Sequence, residues 1–294
     1  MTTRTAAPFA GISWLKNSFQ LLGKRPKTLI GAGLIVFLLS LVPTCVSLPL
    51  RLAYPNSMPV FWGTLALSLL AGIALAPLMG GYLQMVDRIE RGEPARASDV
   101  FGPYRQGLAL PLIGFSLLLM ALLTVAVVAV IVVGFGPGIF ESYATVATNP
   151  QAAGRLAMPT HFWPMFLMLF AFALFWMGVH TLGYAQVAIA GRGPLEGIRD
   201  GAAGTIKNVV PLVVLMLAGI VLALVIGIVF GILVAIVGTL ATLVAQSAWA
   251  LVLVIPVYVA LLLVMYPLTT GVMYFFWRDV CGQPRPPAMA ETYA

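Results

Sequence analysis

Residues 208–277 read NVVPLVVLMLAGIVLALVIGIVFGILVAIVGTLATLVAQSAWALVLVIPVYVALLLVMYPLTTGVMYFFW, seventy residues without an Asp, Glu, Lys or Arg. As one helix rising 1.5 Å per residue this stretch would be about 105 Å long, over three times the roughly 30 Å of bilayer hydrocarbon. The polar pair Gln246 and Ser247 divides it and predicts two spans, at 209–243 and 248–277. Working outward, the stretches 28–50, 52–86, 106–140 and 156–191 are also charge-free. Sized in the same way, they predict spans near 28–50, 58–86, 108–134 and 161–190. Composition agrees with six spans: 61% of the 294 residues are hydrophobic, only 9% are charged and mean hydropathy is +1.02. A soluble domain carries about a quarter charged residues, so a soluble globular fold is excluded.

Basic residues near span ends are retained in the cytoplasm, which orients the chain. Arg4, Lys16, Lys24, Arg25 and Lys27 precede the first span; Arg88, Arg91, Arg96 and Arg105 follow the second; Arg192, Arg199 and Lys207 follow the fourth; Arg278 and Arg285 follow the sixth. Only Arg51 and Arg155 fall on the other side, so both termini are expected in the cytoplasm. The layout is a cytoplasmic N-terminus with an amphipathic helix (1–27), one six-span domain (28–280) and a cytoplasmic tail (281–294). The net charge of +7 and pI near 9.7 follow from this asymmetry, and nucleic acid is not expected as a partner. The 27 residues before the first apolar run are too long for the n-region of a cleavable signal. Cys45 lacks the small residue that precedes a lipoprotein cysteine, and it lies a bilayer away from Cys281, so both are expected as free thiols.

Three segments align where the even spans reach the cytoplasm: PLMGGYLQMVDR (77–88), VHTLGYAQVAIA (179–190) and PLTTGVMYFFWR (267–278). Gly81, Gly183 and Gly271 share a column, as do Tyr82 and Tyr184, Gln84 and Gln186, Pro77 and Pro267, and Arg88 and Arg278. The segments leading into the odd spans also match in kind. Ile12, Leu15, Phe19 and Leu22 make one stripe; Ser98 can cap a short helix bearing Val100, Phe101, Tyr104 and Leu108; Pro194 suits a first helical position before Leu195, Ile198, Ala202 and Ile206. Pro26, Pro111 and Pro211 then mark the turn into the bilayer. The expected fold is therefore all-α and polytopic, with three transmembrane hairpin repeats, each preceded by an amphipathic helix lying at the cytoplasmic interface.

The spans carry no ionisable Asp, Glu, Lys or Arg, which argues against ion coupling, proton relays and voltage sensing. Candidate central or pathway residues are Gly81, Tyr82, Gln84, His180, Gly183, Tyr184, Gln186 and Gly271. His180, with Met177 and Tyr184 as helical neighbours, reads as a satisfied interior histidine. His161 with Met158, Met165 and Met168 has the soft ligand types of a Cu(I) site, but thirteen methionines make that spacing easy to reach by chance, and neither metal nor cofactor is expected. Gly219, Gly227, Gly231 and Gly238 are candidate helix-packing positions in span five, with GxxxG at 227–231. They read either as a homodimer face or as a packing face against another span of the same chain, and the second reading is preferred. The acidic and basic residues between Asp87 and Arg105 read as a solvated ion-pair surface, and Glu196 with Asp200 in the same way. GxGxxG, the phosphate-binding GxxxxGK[ST], HExxH and GxSxG are all absent, so no catalytic residue is assigned.

A lead-in helix bearing Trp14 with a Lys24-Arg25-Pro26 exit, six spans, and the PLMGG and PLTTG turns resemble uncharacterised six-span inner-membrane proteins of Gram-negative bacteria. These are the YciC-like group and the membrane domain fused to some glycerophosphodiester phosphodiesterases. The resemblance implies a bacterial inner-membrane address; the phosphodiesterase barrel is absent, so that activity does not carry over. The reading is of a non-enzymatic, lipid-facing scaffold or envelope-associated binding component. Its expected partners are membrane lipids, with a homo-oligomer or an unidentified membrane protein as further candidates. The competing reading is an uncoupled transporter or channel for an apolar or amphiphilic molecule, with its path bordered by Gly81, Gly183, Gly271 and His180.

Overall fold

A computed structural model of the chain describes residues 3–136, 138–139, 141–142, 161–245 and 254–282. Among the described residues six helices are long and apolar enough to cross a membrane, and the protein is a multi-pass membrane protein. In chain order the elements are α1 (Ala10–Lys24), α2 (Pro26–Ala53), α3 (Met58–Glu90), a 3-10 turn (Ala97–Phe101) running into α4 (Gly102–Arg105), α5 (Ala109–Phe135), α6 (Phe162–Ala188), α7 (Pro194–Lys207), α8 (Val209–Ala245) and α9 (Val254–Val280). The expected spans and the observed helices agree closely at most ends. Gln246, Ser247, Met158 and Arg285, and the connection from 143 to 160, lie outside the described residues.

Helix α3 runs four residues past its expected end and takes Asp87, Arg88 and Glu90 into its last turns. Gly92 and Gly191, at φ 77 and 65, then turn the chain out of α3 and α6, a backbone region that glycine enters without steric cost. Prolines 26 and 194 stand in the first turns of α2 and α7, where their missing N–H groups have no intrahelical acceptor to lose.

Helices α3, α6 and α9 touch one another pairwise and form the centre. The odd spans lie outside them: α5 against α3, α8 against α6, and α2 against α9. Helix α2 lies along α3 and α5 along α6, whereas α8 meets the next helix, α9, at few points. The short elements lie across pairs of the long helices: the 3-10 turn on α2 and α3, α7 on α5 and α6, and α1 on α8 and α9.

The core gathers where the arginines and lysines cluster, hereafter the basic end. Trp14, Leu21, Tyr82, Leu83, Val86, Leu182, Ala185 and Phe276 are all buried there. The most hydrophobic stretch of α8 has no buried residue, as expected of helices whose flanks face acyl chains. Lipid is as apolar as Leu, so the hydrophobic effect does not press helices together within it; close backbone approach and hydrogen bonds must do so. Glycines provide that approach. A Cβ on Gly81 would lie 2.0 Å from the Val100 carbonyl oxygen, one on Gly201 3.0 Å from that of Val179, and one on Gly11 2.5 Å from that of Pro211.

The buried face of α1 is Gly11, Trp14, Ser18 and Leu21, one residue ahead of the apolar stripe seen in sequence, from which Ile12 and Phe19 remain exposed. Helix α7 repeats the pattern, burying Gly197, Gly201, Gly204 and Thr205 and exposing Leu195 and Ile206. The small-residue faces meet the bundle because they allow the closest packing, and the bulky apolar residues point away from it.

Candidate functional site

At the basic end, the last turns of α3 and α9 and the end of α6 border a half-open cavity of about 1160 Å³. Asp87, Ile189 and Trp277, which occupy one column of the sequence alignment, all line it. The segment before α1 forms a further wall with Arg4, Ala6, Ala7 and Phe9.

The charges at this end are paired in an ordered way. Glu90, with its side chain only 5% exposed, receives Lys24 at 2.6 Å and Arg278 at 3.5 Å. Asp87 accepts from the Tyr274 hydroxyl at 3.1 Å and pairs with Arg91 at 2.7 Å. Asp279 accepts from the Trp14 indole at 2.7 Å and lies 3.6 Å from Arg278. Arg278 also stacks over Phe275, 4.6 Å from the ring centroid. This corrects the solvated-surface reading of the 87–105 stretch: Asp87 and Glu90 are buried, because α3 continues through them and carries them under α1 and α9. The surface reading holds further along, where Arg88 pairs with Asp99 at 3.5 Å with both side chains partly exposed.

Polar side chains tie the three central helices to one another. Tyr274 reaches from α9 to Asp87 on α3, the Trp277 indole donates from α9 to Gln186 on α6 at 3.1 Å, and Gln84 donates from α3 to the Ala188 carbonyl of α6 at 2.7 Å. Gln186, fully buried, in turn donates to Asp200 of α7 at 2.6 Å. Glu196 closes the start of α7, accepting from the Gly193 backbone N–H at 3.2 Å.

The N-terminal segment is strapped down by Asn208, a fully buried residue between α7 and α8. Its side-chain oxygen accepts from the Ala6 N–H at 2.7 Å, and its amide donates to the Arg4 carbonyl at 3.0 Å and the Gly204 carbonyl at 2.8 Å. The Arg4 backbone donates to Val280 at 2.8 Å, and its guanidinium donates to the Gly282 carbonyl. Beneath this strap Cys281 is buried, and burial pushes its thiol up to about 12.

The sequence candidates divide into three groups. Gln84 and Gln186 belong to the ties between helices. Tyr82 donates to the Leu29 carbonyl of α2 at 3.0 Å and meets Tyr266 of α9 edge-on, so it ties α3 to both, whereas Tyr184 shares a hydrogen bond with Ser116 and meets Phe115 edge-on, both on α5. Gly81, Gly183 and Gly271 do not border a common opening: they are filled by Val100, by Phe115 with Gly197, and by Ser18 with Leu21. His180 lies between Trp176 and Tyr184 of its own helix. Gly219, Gly227, Gly231 and Gly238 have no atom of another described segment within 4 Å of a built Cβ, so among the described residues they pack against no other part of the chain. Met165 fills the space at Gly134 of α5, and His161 is exposed.

Sequence reasoning missed Trp14 as a core anchor, Glu90 as a buried acceptor and Asn208 as the strap holder. The spacing of Gly11, Trp14, Ser18 and Leu21 is the signal that could have found the first. No protein-family profile, curated protein or solved structure matches the chain.

Proposed function

We propose that the protein is a non-enzymatic scaffold or binding component of the bacterial inner membrane, with its basic end and both termini in the cytoplasm. The charge asymmetry along the sequence supports the orientation. Three hairpin repeats, each with an amphipathic lead-in helix, account for the packing: Gly81 seats Val100, Gly183 seats Gly197, and Gly271 seats Ser18. Each of these partners belongs to the lead-in segment of the following copy, and the last glycine receives the first segment, so the repeat closes as a ring.

The observation that carries the scaffold reading is the set of side-chain ties joining α3, α6 and α9 pairwise at the basic end. A conducting path along the ring axis must part these helices where they are most strongly bonded. The competing reading, an uncoupled transporter for an apolar or amphiphilic solute, draws on the cavity at that end and on the apolar, uncovered flanks of the outer halves. Reconstitution into proteoliposomes separates the two. The scaffold predicts leak rates equal to protein-free liposomes for small solutes and amphiphilic dyes, and saturable flux of any of them overturns it.

A further inference from the structure

We infer that the cavity at the basic end is a binding site for a phosphate group, with Arg4 as its principal cation. The inference deepens the binding-component reading and rests on it for the exposure of this end to water.

Three guanidinium groups from three separate parts of the chain face the cavity: Arg4 from the strap, Arg91 from the end of α3 and Arg278 from α9. The two acids that line the cavity are paired, Asp87 with Arg91 and Asp279 with Arg278, and Glu90 close by meets Lys24 and Arg278; Asp200, near Cys281, accepts from the Gln186 amide. Arg4 differs from the other two. It makes no ion pair among the described residues; its guanidinium donates only to main-chain carbonyls, those of Gly282 and Arg278. A guanidinium has five N–H donors in a planar fork matched to phosphate oxygens, and neither backbone acceptor cancels its charge. The positive charge left in the wall is therefore held in place by the strap, which Asn208 pins to the bundle at 2.7 and 3.0 Å. A site pre-organised in this way loses little entropy on binding. At about 1160 Å³ the cavity has room for more than a phosphate ion, and Trp277 and Ile189 in its wall suit the apolar part of an ester. That chemistry is shared by a soluble phosphate ester and by the headgroup of an anionic phospholipid.

The test uses the full-length protein in phosphatidylcholine nanodiscs, titrated calorimetrically with inorganic phosphate and with glycerol 1-phosphate. In parallel the protein is melted in nanodiscs with and without phosphatidylglycerol. Saturable heat in the titration assigns the site to a soluble phosphate; a melting temperature raised only by phosphatidylglycerol assigns it to a lipid headgroup. In whichever arm responds, Arg4→Gln is expected to weaken binding at least about tenfold, and Arg4→Lys, which keeps the charge but not the fork, to weaken it less than Arg4→Gln does. If Arg4→Gln does not fold, Arg91→Gln, which leaves the strap intact, is expected to weaken binding severalfold. No response in either arm of the wild type, or full binding by Arg4→Gln, overturns the inference. Either result leaves the scaffold reading to the flux measurement, so the two fail separately.

Discussion

The two halves of this protein are built by different rules. At the basic end, glycines bring backbones into contact, buried carboxylates are met by arginine and lysine, and indole, phenol and amide groups bond one helix to the next. Toward the other end, the six spans carry apolar side chains that other helices hardly cover, and α8 is the extreme case. The exception there is Arg51, which donates to the buried Thr64 at 2.9 Å and lies over Phe61. In a bilayer the uncovered half needs no protein partner to stay dry, so specificity and stability are concentrated where the helices leave the hydrocarbon.

The largest expected effect is at Gly81. A single methyl there meets the Val100 carbonyl, so Gly81→Ala should destabilise by about 3 kcal/mol, at the upper end of overpacking costs. Thermal melting in nanodiscs measures it, and a wild-type midpoint would remove the close contact from the account. Next comes Asn208→Ala. It leaves the Ala6 N–H and the Arg4 carbonyl without their partner and should cost about 2 kcal/mol. Limited trypsin treatment should then cleave after Arg4 faster than in the wild type; unchanged cleavage would mean that something other than Asn208 holds the strap.

Glu90→Gln should cost about 1–2 kcal/mol, less than a fully buried pair, because Lys24 is half exposed and can turn to water. Adding Lys24→Met to it should cost little more; additive losses would show that the two residues act independently.

Cys281 sharpens the comparison through pH. Its thiol is held up at about 12 in the folded protein against an ordinary 9.0, so the folded state keeps a proton that the unfolded chain releases. Its contribution to stability is complete below about pH 9 and is lost as pH rises from there towards 12. Iodoacetamide at pH 8 should modify Cys281 at least about a hundredfold more slowly than a free thiol until the protein melts. Rapid native modification would contradict the burial beneath the strap.

The smallest effect belongs to the other half. Gly227→Ala meets none of the described residues and should change stability by no more than about 1 kcal/mol, in the favourable direction expected of alanine in a helix. A large loss would reveal a partner seated on α8 and would break the contrast between the halves.

Sequence alone located the spans because charge-free length is a demand of the bilayer itself: Met58, Ala109 and Phe162 begin helices within a residue of where hydropathy places them. It did not locate the buried faces of the short helices. An apolar stripe such as Ile12 and Phe19 ordinarily marks the core, but beside a membrane the same stripe has acyl chains as a second destination. Gly11, Ser18 and Gly201 then take the inner face because they are small, a property that hydropathy does not score. The site is partly legible: Gln84 and Gln186 stand in one alignment column and do join helices, but Glu90 lies in a stretch that reads as solvated surface and Arg4 in a terminal segment marked only by its charge.

The strap and α1 have a bearing on how the protein is made. Arg4 bonds to Gly282 across 278 positions of chain, and Trp14 to Asp279 across 265. At a synthesis rate of about 5–20 residues per second, the first helix leaves the ribosome tens of seconds before its binding surface exists. During that interval α1 must wait without its partner, with Trp14 uncovered, while the later helices are made. The strap and α1 are thus among the last elements to dock, because their partners Gly282 and Asp279 are made long after them.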